Sequence, residues 1–555
     1  MRFDPQDAAS SASAIRWLAP WVYLFVVLWI LWASAAALAQ PAPVPVPADA
    51  DGRHGSGQSG YRVINLGPGS IATYPKINAS GQVGFSMAGD GRTTAFFYDG
   101  AEVKNIGSLG GGIVYANDLN DAGQIAGTSL NANGVENAFV WSAGGGMVAL
   151  HAGPGRGASY GWAINQRGVV TGALGALGDA ARPFRWSAAG GLEDLGVTAG
   201  VPAPSSGMVL NDAGLIAGRT WVDDETTRVF VWTRAGGLVN IDTLGSVESE
   251  PVAVGAGGAV AGNRLASLDD GGDRPFLWTQ AGGMLDLGIG GGSTAWVNAM
   301  SPGLHIAGGI AYADGHQRAM SWTGHSGMRV LGTLGGRTSV ARAVNASGQV
   351  VGFAENSAGA MRAFVWSAGR GMQDLNRALR RAPPGLVLEH ALAINDSGAI
   401  VASSNAGLVL LRPDRGHAGA LGLGPVLGPI LAPRTVKVGA PMQASFSFVD
   451  EDRTGTRSVD WAWGDGSGGP ARQVKEDGGE GGGAGSSSAS HSFSAPGSYH
   501  VTASVVDRDG RSAVLSHTVT VEGDALAGTG AALSPASAPG QAPLHTTTLT
   551  TGRRR

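Results

Sequence analysis

The 555-residue chain contains no cysteine. That excludes a disulfide framework, thiolate zinc sites, iron–sulfur clusters and a cysteine nucleophile. Charge is also scarce, at 14% of residues, and lysine is nearly absent, with only Lys76, Lys104, Lys437 and Lys475. A net charge of −4, its positive part almost all arginine, leaves no basic footprint for nucleic acid. The eleven histidines are dispersed and form no His-x-x-x-His or His-Glu-x-x-His pair for zinc. No Gly-x-Ser-x-Gly elbow stands between a strand and a helix, and the glycine runs at 419–428 open no strand–helix unit that could cradle phosphate. What the chain does have is glycine, 92 residues without a Gly-X-Y period, together with 15 tryptophans. This composition predicts an all-β protein of many short strands joined by tight turns.

Residues 17–39 carry no charge and end in Ala37-Leu38-Ala39 before Gln40, the small-x-small form of a signal peptidase site. Residues 1–39 are expected to be a signal peptide, with an uncleaved membrane anchor over 17–39 as the alternative. Either places the rest outside the cytoplasm, secreted, periplasmic or at the cell surface, and only the uncleaved form would touch a membrane. Residues 40–60, with four prolines and then glycine and serine, form a linker.

One pattern recurs from 61 to 413. An Asn-x-x-Gly element appears at Asn78, Asn120, Asn165, Asn211, Asn345 and Asn395, with degenerate copies around Gly255 and Ser301. It is followed by an apolar run, a polar loop, and an aromatic triplet such as Phe139-Val140-Trp141, Phe230-Val231-Trp232 or Phe364-Val365-Trp366. Gly-Gly-Met and Asp-Leu-Gly then close the unit. From Tyr98 to Leu411 the last aromatic position, or its eroded equivalent, recurs at intervals of 43, 45, 46, 46, 44, 44 and 45 residues. Asn-x-x-Gly between apolar runs is hairpin chemistry, because asparagine bonds its own backbone and glycine takes the left-handed conformation without a Cβ clash. The acceptor-like triplets at Asn78, Asn345 and Asn395 are the same turns and need no sugar to explain them. Units of about 45 residues with three or four strands match propeller blades. The expectation is a β-propeller of about eight blades, with an open β-solenoid as the alternative. The tryptophan series is assigned to its core. Tyr61–Gly67 looks like the strand that ends a unit yet precedes the first one, and is expected to pair with the strand at Val409.

Ala-Ile-Asn, Gly-Gln-Val-Val-Gly, Ala-Phe-Val-Trp and Gly-Met-x-Asp-Leu-Gly resemble the HAF-repeat family of bacterial extracellular proteins, over about 350 residues. The resemblance implies an exported repeat protein and carries no activity. Where that family has histidine, two residues before the phenylalanine position, this chain has Arg182, Arg228, Arg274, Arg318 and Arg362, with Thr94 and Asn137 in the first two units. Strand alternation puts each arginine on the face of its aromatics. The five are candidates to bind an anionic polymer. The competing structural role has their stems over the aromatic layer and their heads paired with Asp194, Asp286 or Asp374.

Residues 414–431 read as a linker, and 432–522 alternate again. The Trp461-Ala462-Trp463-Gly464-Asp465-Gly466 turn and Pro496-Gly497-Ser498-Tyr499 resemble a PKD domain, an immunoglobulin-like β-sandwich. The Gly/Ser stretch at 477–490 is expected to be a disordered insert, and 523–555 a disordered tail. Some related domains hold calcium, which makes Asp450, Asp452, Asp507 and Asp509 candidates, against a plainer role as solvated turn acids.

No catalytic set can be assembled. Asp223-Asp224-Glu225 and Asp269-Asp270 with Asp273 are the acids that could serve a hidden glycosidase, but nothing makes two of them face each other. The expected function is a non-catalytic binding, adhesion or surface-structural module for carbohydrate or protein. The alternative is a secreted polysaccharide-degrading hydrolase or lyase with an accessory PKD domain.

Overall fold

The computed structural model describes residues 60–523, apart from 90, 152–156, 176–180, 197–204, 223–225, 268–271, 381, 415–423, 451–455, 469–471, 476, 480–481 and 508–509. The expected signal peptide, the 40–60 linker up to residue 59, most of the 414–431 linker's first half and the tail from 524 lie outside the described residues. Within them the protein is all-β, and a single turn of 3-10 helix, Leu375–Ala378, is the only helix described.

Residues 61–413 form eight antiparallel units of four strands. Unit four is typical: Ser205–Leu210, Ile216–Trp221, Thr227–Thr233 and Gly237–Asn240 pair in that order. The first two units are joined by one parallel bridge, Thr93 to Ile113. The eighth unit draws its fourth strand from the other end of the chain. Tyr61–Gly67 pairs antiparallel with Gly407–Pro413, setting Ile64 opposite Leu410 and Asn65 opposite Val409. The pairing expected from the sequence is therefore present.

Each third strand is buried on both faces, which explains its uninterrupted apolar run. Phe230 and Trp232 pack with Leu195 of the unit before, whereas Val229 and Val231 pack with Phe276 of the unit after. The same exchange recurs between units one and two, where Phe97 meets Phe139 and Trp141, and between six and seven, where Ala319 meets Phe364 and Trp366. Unit eight packs on unit one through Leu408, Leu410, Phe85 and Tyr98. Trp141, Trp232, Trp322 and Trp366 are buried, so the tryptophans belong to the packing layer.

Two devices repeat at the turns. In Asn-x-x-Gly the side-chain oxygen accepts from the backbone four residues on, for example from Gln124 N to Asn120 at 2.9 Å. The glycine takes φ near +70 to +90°, as at Gly123 (73°) and Gly214 (88°). The asparagine also does something that turn chemistry does not require. Its amide donates to the carbonyl of the next unit's turn, from Asn120 to Asn165 (3.0 Å), Asn165 to Asn211 (3.0 Å) and Asn211 to Gly255 (3.0 Å). Asn345 reaches Asn395 at 3.1 Å, and Asn395 reaches Asn78 of unit one at 2.9 Å. With their amides committed inside, Asn78, Asn345 and Asn395 cannot carry a glycan in the folded protein.

The second device is a bulge in every first strand, three residues before the asparagine position. The register shifts at Gly161/Ala163, Gly207/Val209, Pro251/Ala253 and Ala341/Ala343 are examples. In units two to seven it throws a carbonyl across the facing residue of the second strand, which is glycine in each, whereas unit one, with its two register shifts, has Phe85 there and unit eight has Ala402. A Cβ on Gly218 would lie 2.0 Å from the Ser206 oxygen and 2.6 Å from the Phe230 ring. Gly127, Gly172, Gly262, Gly308 and Gly352 meet the equivalent carbonyl at 1.7 to 2.1 Å. Close approach, rather than a turn, fixes these glycines.

The carboxy-terminal sandwich has a four-stranded sheet with Val426–Leu427, Met442–Asp450, Gly482–His491 and Asp477–Gly479, and a five-stranded sheet. It therefore begins before residue 432. The Gly/Ser stretch at 477–490, expected to be disordered, is instead largely strand: Gly482–His491 pairs with Met442–Asp450 along its length. Its small residues have a packing cause, since a Cβ on Gly485 would lie 2.3 Å from the Phe448 ring. Asp450 and Asp507 are not solvated turn acids either. Asp450 is 3% exposed and paired with Arg457 at 2.7 Å, and Asp507 is 4% exposed and paired with Arg511 at 2.9 Å. Buried charges require such partners. Asp452 and Asp509 lie outside the described residues, so the calcium reading has two of its four carboxylates turned to arginine and two unseen.

Candidate binding site on the first strands

The arginine row sits where the third strand begins. Arg182 pairs with Asp194 at 3.0 Å, as the structural role requires. Arg228 donates to the Ser246 carbonyl and, at 3.2 Å, to Val247, both in the segment leading to the next unit. Arg318 likewise donates to the Arg337 carbonyl, and Arg362 donates to its own neighbour Met361 at 2.7 Å. Arg274 has no partner of this kind among the described residues, and Asp286 is taken by Arg264 instead. Four of the five heads are thus engaged locally, in three different ways. Of the candidate acids, Asp223, Asp224, Glu225, Asp269 and Asp270 lie outside the described residues, and Asp273 opens the strand Asp273–Thr279.

The residues that differ from unit to unit converge elsewhere. First strands of successive units touch one another, and Leu388–Ile394 of the last unit touches Ser70–Ile77 of the first. The bulged position carries Tyr74 with Pro75, then Asn117, Trp162, Met208, Val252, Asn298, Arg342 and Leu392. Facing it, the residue after the close-approach position in the second strand is Ser86, Thr128, Ala173, Arg219, Asn263, Gly309, Phe353 or Ser403. Where these side chains are small and polar they satisfy the backbone of the next unit's first strand. Ser86 accepts from Ala116 N at 2.8 Å, and Asn117 donates to Gly161 at 2.7 Å.

Two places depart from that pattern. Between units four and five, Arg219 lies over the Trp221 ring at 4.4 Å and reaches Glu250 at 3.4 Å. Burial lowers Arg219 to about 10 despite Glu250 and Glu248. Burial raises Glu250 and Glu248, with Arg219 opposing, and it raises Asp273, helped by those two glutamates. These carboxylates and the arginine form a charge cluster in which Arg219 is buried and Glu248 and Asp273 are exposed. No group of three or more acids or histidines suited to a metal exists among the described residues.

Around units seven, eight and one, Arg342 stands with its guanidinium carbon 5.2 Å from the Tyr74 ring and 5.4 Å from the Phe353 ring. Phe353 meets His390 edge-on at 4.8 Å, and His390 Nδ1 lies 3.2 Å from Ser403 Oγ. Burial, and then the Arg342 charge, lower His390 to about 4, so the ring is neutral at pH 7. Three units contribute to this cluster, which the aligned repeats signal only as positions where residue type fails to recur. In unit three, Tyr160 and Trp162 of one first strand stack at 6.0 Å and 9°.

Comparison with known proteins identifies one part. Residues 424–522 match the PKD domain family. The PKD domain starts eight residues earlier than the alternation alone marks it. Its Trp-Gly-Asp-Gly turn holds Asp465 against His491 at 2.6 Å, and His491 stacks on Trp463. No curated protein matches the chain. Among solved structures, the PKD domain of an M14-like peptidase from Thermoplasmatales archaeon SCGC AB-540-F20 is 20% identical over 18% of this chain and 95% of its own, with a TM-score of 0.15. TolB from Acinetobacter baumannii is 11% identical, covering 45% of this chain and 63% of that one, with a TM-score of 0.31. A mutant Aleuria aurantia lectin in complex with alpha-methyl-L-fucoside is 11% identical over 57% and 94%, with a TM-score of 0.25.

Proposed function

We propose that the chain is an exported, non-catalytic binding or surface module for carbohydrate. Its repeats, of HAF-like pattern, close into an eight-bladed propeller that presents a ligand site at the first strands. Closure is supported by the pairing of Tyr61–Gly67 with Gly407–Pro413 and by the bond from Asn395 to Asn78. It leaves no unit with a missing neighbour. The observation that carries the binding reading is the gathering of Tyr74, Arg342, Phe353 and His390 from three units at positions that the fold leaves free to vary. Recognition is what a repeat scaffold places at such positions. Attachment to a cell surface through residues 1–39 or release into the medium both fit this role.

The hydrolase alternative draws on Glu248, Glu250 and Asp273, whose carboxyls desolvation holds above the usual carboxylate range, as a general acid requires. Glu250 is tied to Arg219, which favours a structural charge cluster. The test is a glycan array with the full-length chain, run beside polysaccharide hydrolysis assays. Retention of array glycans without turnover is expected. Turnover abolished by Glu250→Gln would reverse the assignment, and absence of any glycan binding would remove the carbohydrate reading.

A further inference from the structure

Among the bulged residues of the eight first strands, Arg342 alone carries charge. It lies half-buried, with the Tyr74 and Phe353 rings at 5.2 and 5.4 Å from its guanidinium carbon and no carboxylate or carbonyl accepting from it among the described residues. Other arginines placed near first strands do have acids: Arg219 has Glu250 and Arg264 has Asp286. A guanidinium offers five donors in a planar fork, and stacking on aromatic faces fixes the plane while leaving the N–H edge free. Tyr74 comes from unit one and Phe353 from unit seven, so the two rings beside the guanidinium are brought together only by the assembled repeats. His390 adds no second positive charge at neutral pH, because burial and Arg342 keep it neutral. Arg342 therefore offers a cation with fork geometry beside a 43%-exposed tyrosine ring.

We infer that Arg342 is the specificity-determining residue of this site and that its ligand is an acidic glycan, a uronate whose carboxylate takes the Arg342 fork while its sugar ring lies against Tyr74. This rests on the carbohydrate-binding reading above and names the chemistry of that ligand. A carboxylate accepts both fork hydrogens at once, which a neutral hydroxyl cannot match, so the site discriminates by charge and geometry together.

The test is calorimetric titration of the full-length chain with three probes: trigalacturonate, a neutral galacto-oligosaccharide of the same length, and acetate. Trigalacturonate is expected to bind at least tenfold more tightly than either other probe. Arg342→Gln should weaken trigalacturonate by about tenfold to a hundredfold, and Arg342→Lys by less, since it keeps charge but loses the fork. Circular dichroism and the melting temperature of each variant show that it is folded. If Arg342 is only a staple between units, Arg342→Gln lowers the melting temperature and leaves the affinity unchanged, and the inference fails. Acetate binding as tightly as trigalacturonate overturns the glycan part and leaves a small-anion site. Tight binding of the neutral oligosaccharide, unaffected by Arg342→Gln, overturns the acidic-glycan inference while the carbohydrate reading survives. Binding of none of the three probes, with no ligand on the array, removes both.

Discussion

Unit five lacks the asparagine of the turn, and unit six lacks its glycine; the two losses compensate each other. Gly255 stands in the asparagine position, and Leu304 occupies the left-handed glycine position with φ of 60°, the only non-glycine residue with positive φ among those described. A Cβ on Gly255 would lie 3.0 Å from Leu304 Cδ2. The residue four beyond Gly255 is Ala259, where neighbouring turns carry Gln124, Val169 or Leu215. The leucine thus fills space vacated by two small residues. Gly255→Asn alone should destabilise by about 1–2 kcal/mol, because overpacking against Leu304 exceeds what two new hydrogen bonds return. Leu304→Gly alone should be close to neutral: relief of about 1 kcal/mol of backbone strain offsets a similar loss of half-buried apolar surface. The double variant should be about 2 kcal/mol more stable than the parent, since the introduced asparagine side chain can then bond Ser301 O and Ala259 N at about 1 kcal/mol each. The assay is a double-mutant cycle read by amide exchange at Gly258, whose N–H donates to the residue 255 carbonyl at 2.9 Å in the parent and which reports local opening without assuming that both domains melt together. Additive effects, within about 0.5 kcal/mol, would refute the idea that the two substitutions occupy one space.

Gly218→Ala should cost more than about 3 kcal/mol or prevent folding, because its Cβ would meet the Ser206 carbonyl at 2.0 Å; a chain that melts within a few degrees of the parent would contradict the bulge argument. His390 is lowered from about 6.5 to about 4 in the folded state, so the unfolded chain binds the extra proton first as pH falls. Stability should therefore be full above about pH 6.5 and decline toward pH 4 by up to about 3 kcal/mol, and His390→Gln should flatten that part of a thermal-shift pH profile.

The repeats were legible because they obey local rules. Asn-x-x-Gly specifies a turn wherever it occurs, and the tryptophan interval counts strands without reference to tertiary contacts. Even the pairing of Tyr61–Gly67 followed from an orphan strand at each end. What local rules do not contain stayed hidden. The inter-unit donation by Asn120 or Asn395 needs a neighbour at the right distance, and the bulge opposite Gly218 is invisible in a string that reads as an ordinary alternating strand. Gly482–His491 looked like an unstructured insert because smallness has two causes, flexibility and a ring lying across the backbone. Composition cannot separate them. The arginine row drew notice for recurring, whereas Arg342, which occurs once, is the residue on which the proposed specificity rests.

The pairing of Tyr61–Gly67 with Gly407–Pro413 also sets an order of events. The strand that completes the eighth unit is made before any unit exists, and it must wait for the whole array between its position and residue 413. Until then the Gly407–Pro413 strand keeps one unpaired edge. Closing a loop of this length adds little entropy cost beyond that of a shorter one, since the penalty grows only with the logarithm of length. The delay is instead kinetic, because the contact with the greatest separation in the array forms last and the intermediate preceding it is the one exposed to mispairing. A second molecule caught at that stage could lend its own Tyr61–Gly67 strand, so the same junction that seals one chain is where two copies could become interlocked.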